Sequence, residues 1–136
     1  MARIVLTDVQ VLINTSTDIS DHIASVTLNS TVNEVQTTAM GNTAITRVGG
    51  LLDNSVTLEF HQDFATSSIE SIVYPLIGTV TTMKVKPTSS ATGSTNPQYV
   101  FSALVSEWTP INGAVGELST ASVTWPISGT ITKTTA

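Results

Sequence analysis

Cysteine is absent from this chain, charged residues make up only 11% of it, and aromatic residues only 5%. Each scarcity removes a class of explanation. Without cysteine there is no disulfide framework, no thiolate nucleophile and no sulfur ligand for zinc, which is compatible with folding in a reducing cytoplasm. Five basic residues against ten acidic ones give a net charge of −5, whereas tight nucleic-acid binding needs clustered Lys and Arg to displace counterions. The basic residues are dispersed as Arg3, Arg47, Lys84, Lys86 and Lys133. Lys84 and Lys86, two apart, share one face of a strand and read as a solvated face. Mean hydropathy is positive at +0.24, yet no run approaches the ~20 consecutive apolar residues that a membrane-spanning helix requires. The apolar triplet Ile4-Val5-Leu6 is broken at once by Thr7 and Asp8, too short for a secretory signal.

Hydroxyl residues fill the places that charge usually takes, with 24 Thr and 16 Ser in the chain. Threonine is β-branched and favours strands, and period-two alternation recurs in most segments between turn-rich stretches. The expectation is a mainly β fold, one domain over residues 1–136, with about six strands. In the first, Ile4 to Asn14, Val9, Val11 and Ile13 alternate with Asp8, Gln10 and Leu12. The second runs from His22 to about Val35. Asn54 to Gln62 alternates most cleanly, with Val56, Leu58 and Phe60 inward against Thr57, Glu59 and His61. Thr79 to Lys86, Gln98 to Trp108 and Ser119 to Thr132 complete the set. Pro126 in the last run requires an edge or a bulge, because it has no N–H to give. Two packed antiparallel sheets, a β-sandwich or partly closed barrel, accommodate such strands.

Elsewhere the alternation fails. Ile69, Ile72, Val73 and Leu76 fall at helical spacing, so one short flanking helix is expected over about 67–76. A capping box of Ser67 and Glu70 opens it, and Pro75 and Gly78 close it. Gln36 to Gly50 reads as a long loop, with Gly41, Gly49 and Gly50 as residues that tolerate positive φ. Its Thr38, Met40, Ile45 and Val48 are too apolar for a solvated linker, so it should fold against something, such as a neighbouring copy. Thr88 to Pro97 offers almost nothing that packs and reads as an exposed loop with little intrinsic order. Residues 1–8 read as an extended arm and residues 132–136 as a loose tail.

The residues present assemble no catalytic constellation. His22 and His61 lack zinc-ligand spacing. His61 alternates with Glu59 and Asp63, but positions i and i+4 of a strand lie ~13 Å apart, too far for one metal ion. There is no Gly-x-Ser-x-Gly elbow and no phosphate-binding glycine loop. Trp108 and Trp125 sit in apolar strand contexts, as core residues do, and not as sugar platforms. Neither an enzyme nor a metal or cofactor site is expected. A chain this poor in charge leaves its sheet edges unguarded against pairing, so homo-oligomer contacts are expected to bury the edges and the 36–50 loop.

The order of several pieces adds a family. Asp21-His22-Ile23, Thr38-Ala39-Met40-Gly41, Thr46-Arg47-Val48-Gly49-Gly50-Leu51 and Leu58-Glu59-Phe60-His61-Gln62-Asp63-Phe64 are followed by Tyr74-Pro75-Leu76-Ile77-Gly78, Lys86-Pro87-Thr88-Ser89, Asn96-Pro97-Gln98-Tyr99 and Val123-Thr124-Trp125-Pro126-Ile127-Ser128-Gly129. This succession, spanning nearly the whole chain, resembles the tail tube (major tail) proteins of bacteriophages with long non-contractile tails, especially those of actinobacteria. The resemblance implies a β-sandwich with one flanking helix, six copies closing into a ring, and rings stacking into a hollow tube that passes double-stranded DNA. It implies a virion protein made in the host bacterial cytoplasm, with tail terminator, tape measure and distal tail proteins as partners. The loop would contact the next ring through Thr38, Met40, Ile45, Arg47, Val48, Gly49 and Gly50, with Ile4, Leu6 and Thr132 as secondary contacts. Channel-lining acids would come from Glu59, Asp63, Glu107 and Glu117, repelling phosphate weakly. A capsid decoration protein and a carbohydrate-binding β-sandwich module are the alternatives.

Overall fold

The alternating strands sort into two layers. The computed structural model describes residues 3–14, 17–66 and 68–135. In chain order the elements are β1 (Gln10–Ile13), β2 (Thr17–Asp18), β3 (Ile23–Gln36), β4 (Arg47–His61), α1 (Ile69–Val73), β5 (Val80–Lys86), β6 (Gln98–Leu104), β7 (Thr120–Pro126) and β8 (Thr132–Thr134). One sheet runs β2-β1-β5-β6-β8 and the other β3-β4-β7, every pairing being antiparallel. The architecture is therefore the expected sandwich, left open on one side and not closed into a barrel.

Alternation decides what faces inward. Val11, Ile13, Met83, Val85, Phe101 and Ala103 from the larger sheet meet Val56, Leu58, Phe60, Ala121, Val123 and Trp125 from the smaller one, all buried. Each large side chain taken from water contributes ~1.5–3 kcal/mol. Phe60 lies at their centre, edge-on to Trp108 at 5.2 Å and 6.1 Å from Trp125. Both tryptophans are core residues, as their context implied. Pro126 ends β7 at the edge of its sheet, which meets the requirement set by its missing N–H.

α1 and a following single 3-10 turn, Tyr74–Leu76, occupy the stretch where the period changes, and Ile69 and Val73 join the core. The capping box takes another form. Ser67 lies outside the described residues, and the N-cap is Ser68, whose hydroxyl donates to Asp63 Oδ2 at 2.7 Å and makes no cap. Glu70 accepts instead from Trp108 Nε1 at 2.7 Å and from Gln62 Nε2 at 3.3 Å, tying the helix to the core.

Four further expectations are corrected. The first strand spans only Gln10–Ile13, and residues 3–8 are exposed without regular structure. The run from Ser119 to Thr132 is two strands in different sheets: after β7 the chain crosses over, with Ser128 N donating to Ser102 O at 2.8 Å. Residues 132–134 are not a loose tail, because they form β8 against β6. Residues 88–97 are organised around Asn96, buried at 7% exposure. Its Oδ1 accepts from Thr88 N at 3.1 Å, and its Nδ2 donates to Ser90 O at 2.8 Å and Ala91 O at 3.2 Å. One amide side chain supplies the order that the composition concealed.

Candidate assembly surfaces

The largest correction concerns the segment expected as a loop over 36–50. Only residues 37–46 lie outside strands; Arg47, Val48, Gly49 and Gly50 belong to β4, and Gln36 to β3. β3 and β4 pair past the sandwich to Gln36 opposite Arg47, and every residue from Asn29 to Asp53 is exposed. The result is a two-stranded arm. Six residues at ~3.3 Å each put Val48 roughly 20 Å beyond Asn54, and the 37–46 tip extends it further. Asn54, at 2% exposure, anchors the root by accepting from Ser30 Oγ at 2.7 Å and donating to Gly129 O at 3.2 Å.

The inward face of β4 does not stop where the core stops. Positions 60, 58 and 56 are buried, and by the period of two Leu52, paired with Val32 of β3, continues the same face. Past the register shift, where β4 carries one extra residue, Val48 pairs with Val35 on the opposite face. All four are about half exposed, because the opposite sheet does not reach them. Of the glycines expected to supply positive φ, Gly41 has it and Gly49 and Gly50 do not. A register shift falls between Val32 and Glu34, and a Cβ on Gly50 would lie 3.0 Å from Val35 Cγ2 and 3.1 Å from Asn33 O. Gly50 thus fits a close strand approach. At the tip, Asn42 N donates to Ala39 O at 3.2 Å, and Gly41, φ 88°, takes the third turn position, where a type II turn needs positive φ. Met40, fully exposed, stands at the apex. Thr37 and Thr46 bridge the strands through their hydroxyls at 2.8 Å, and Thr38 Oγ accepts from Thr46 N at 3.0 Å. Arg47 pairs with Glu34 at 3.4 Å, and Ile45 is exposed beside the tip.

The four candidate channel acids do not share one surface role. Glu59 is exposed on the outer face of β4, between Ser25 of β3 and Ser122 of β7. That face is a hydroxyl carpet, which includes Thr27, Thr57 and Thr124. Glu107 Oε1 accepts from Thr124 N at 2.8 Å. Glu117 lies in the exposed loop before β7. Asp63 is committed to the fold. It accepts from Ala65 N at 2.9 Å, Ser68 Oγ at 2.7 Å and His22 Nε2 at 3.0 Å. These donors, the Ala65 amide foremost, hold its carboxyl down at about 2. For His22, burial pulls toward the neutral ring, but Asp63 and Asp21, which faces Nδ1 at 2.9 Å, outweigh it and raise its pKa.

The two edges of the smaller sheet differ. Bonds from Gln62 N to Ser119 O and from Ile127 N to Asn54 O set the parity of the β4–β7 ladder, so the N–H groups of residues 120, 122 and 124 point to the open edge. Thr120 N donates to Asn112 O at 3.2 Å, Thr124 N to Glu107, and position 126 is proline. The β7 edge is largely covered. On β3 the outward amides of Val26, Leu28 and Ser30 meet no acceptor among the described residues. Beneath that edge lies an apolar groove of about 510 Å³, bounded by Val26, Leu28, Tyr99 and Ile131, with Lys86 and Lys133 also lining it. Leu6 lines it as well, whereas Ile4 and Thr132 do not; Ile4 is exposed and Thr132 pairs with Val100.

Sequence reading missed four contributors. Val32, Leu52 and the groove were hidden because alternation predicts a face without saying where its cover ends. In the loop 111–118, Ile111, Val115 and Leu118 are 87%, 106% and 62% exposed. A run of large apolar residues among glycines was the available signal, since turns favour polar residues.

No family model matches this sequence, and no curated protein matches it. Solved structures do match. The chain aligns with a protein in the tail of an empty gene transfer agent (GTA) particle, a helical reconstruction with C6 symmetry, at a TM-score of 0.63 and 12% identity, over 91% of this chain and 95% of that one. A chain of the native GTA virion gives the same values. A chain of the anti-feeding prophage baseplate, six-fold symmetrised, aligns at a TM-score of 0.57 and 11% identity, over 98% of this chain and 97% of that one. At such identities the shared property is the fold.

Proposed function

We propose that this chain is a structural subunit of a phage-like tail, its copies closing into six-membered rings that stack into a hollow tube passing double-stranded DNA. The observation that carries the reading is the arm: two strands that continue past their own core, with Val32 and Leu52 uncovered on the inward face and Val35 and Val48 uncovered on the other. Contiguous exposed apolar surface is seldom left bare in a chain that works alone. The fold likeness to tail and baseplate chains from six-fold assemblies supports the stoichiometry. In this reading the arm reaches the adjacent ring, with Met40 and Ile45 at its tip.

The outer face of β3-β4-β7 is the proposed channel wall. It is lined by hydroxyl side chains, with Glu59 its carboxylate. The outer face of the larger sheet carries Lys84 and Lys86 and would hold phosphate. A neutral to acidic hydroxyl surface lets DNA slide. The role is structural, and no step of the reading needs a catalytic group. Negative-stain microscopy of the purified chain tests it: tubes or stacked rings are expected. Monodisperse monomers at high concentration, with the arm freely cleaved by protease, would overturn it.

A further inference from the structure

Two surfaces at opposite edges of the smaller sheet complement each other. At the β3 edge is the open apolar groove, with Lys86 and Lys133 among its lining residues. Beyond the start of β7 is the loop 111–118, whose exposed Ile111, Val115 and Leu118 surround Glu117. The loop is a built feature. Glu117 N donates to Ala114 O at 3.0 Å, Ser119 Oγ donates to Asn112 O at 3.2 Å, and Gly116 takes φ 86°. Those bonds hold Val115 at the apex of a turn.

We propose that the 111–118 loop of a second copy seats in this groove, Val115 and Leu118 against Val26, Leu28 and Ile131, with Glu117 facing Lys86 and Lys133. Charge selects this occupant over the other exposed apolar segments. The arm tip, residues 37–46, has no charge, and in the 3–8 segment Arg3 adjoins the apolar triplet while Asp8 is engaged by Ser89 of its own chain. The contact is heterologous: one patch meets a different patch, so repetition closes a ring or grows a filament. It also fits the coverage of the β7 edge, where Glu107 and Asn112 occupy amides that direct strand pairing would need. The loop lies beyond His61 and the groove is level with Val56 and Leu58. Adjacent copies are therefore staggered by about five residues, roughly 17 Å along the strands, and closing a sheet into a ring requires such stagger.

The contact names the lateral partner in the ring proposed above and rests on that reading for its ring geometry. Because the chain has no native cysteine, a Leu28→Cys, Val115→Cys double variant can form only designed disulfides. Mild oxidation is expected to give covalent ladders of dimers and higher species, while either single variant gives no ladder. Glu117→Lys should raise the protein concentration needed for association by roughly two- to five-fold, the scale of an exposed ion pair. Adding Lys86→Glu and Lys133→Glu should restore it. Circular dichroism of these surface variants should match the parent. Ladders without tubes would sustain the contact and sink the tube. Tubes without ladders, formed at an unchanged concentration by Glu117→Lys, would overturn the contact and leave the tube standing.

Discussion

Thr81 carries its hydroxyl into the core at 4% exposure, and that oxygen has no hydrogen-bond partner among the described residues. A buried unpaired hydroxyl costs about 1–3 kcal/mol. Thr81→Val keeps the branched shape and removes the polar atom, so it should raise unfolding stability by about 1 kcal/mol in urea melts; a loss would contradict the assignment. Titration at Asp63 and His22 supplies a second expectation. Asp63, lowered from 3.8 to about 2, stabilises the fold fully above 3.8 and progressively less as the pH falls toward 2. His22 is raised above 6.5, so its contribution is complete below 6.5 and is lost as pH rises through its folded value. The joint between β3 and the entry to α1 is therefore tightest between about pH 4 and 6.5. Thermal melts from pH 5 to 8 should show the parent losing stability with rising pH and Asp63→Asn losing less of it. Parallel profiles would refute the coupling. None of this was legible in the sequence, where Asp63 looked like a strand partner of His61. The chain turns away after β4 and brings it to a histidine 41 positions earlier.

At the scale of elements, the arm and the sandwich should respond separately. Val48 and Leu52 touch nothing in the opposite sheet, so Val48→Ser with Leu52→Ser should leave the thermal midpoint of the isolated chain within a few degrees of the parent. Exposed substitutions usually stay within ~0.5 kcal/mol. The same pair should abolish large assemblies, because each such side chain contributes ~1.5–3 kcal/mol when fully buried at a contact. Sedimentation velocity reads both states. Assemblies of unchanged size would remove the arm from the interface. The arm was half legible: its apolar content pointed to a contact, but the glycines and the loss of alternation read as loop. Gly49 and Gly50 have no side chain to mark a face, and the extra residue of β4 at the register shift disrupts the period of two in that strand. Both features are compatible with pairing yet erase the pattern by which pairing is recognised.

At the scale of the whole molecule, the proposed tube commits its inner surface to the face bearing Glu59, Thr27, Thr57 and Thr124. A reconstruction of the assembled form should therefore show a channel wall that is not net basic, with Lys84 and Lys86 directed away from it. A basic wall would overturn that orientation. Local pattern along the chain was enough for the β class, the inward set Val56, Leu58 and Phe60, a short helix within about 67–76, the buried tryptophans and the edge position of Pro126. Each of these follows from local periodicity or from one residue's covalent geometry, which neighbours along the chain suffice to express. It took the packed fold to establish that β3 and β4 outrun their cover, that one sheet edge is capped and the other bare, and that a groove with two lysines in its lining faces away from an acidic apolar loop. Those properties depend on where an element ends relative to another far away in sequence, and no local pattern encodes that distance.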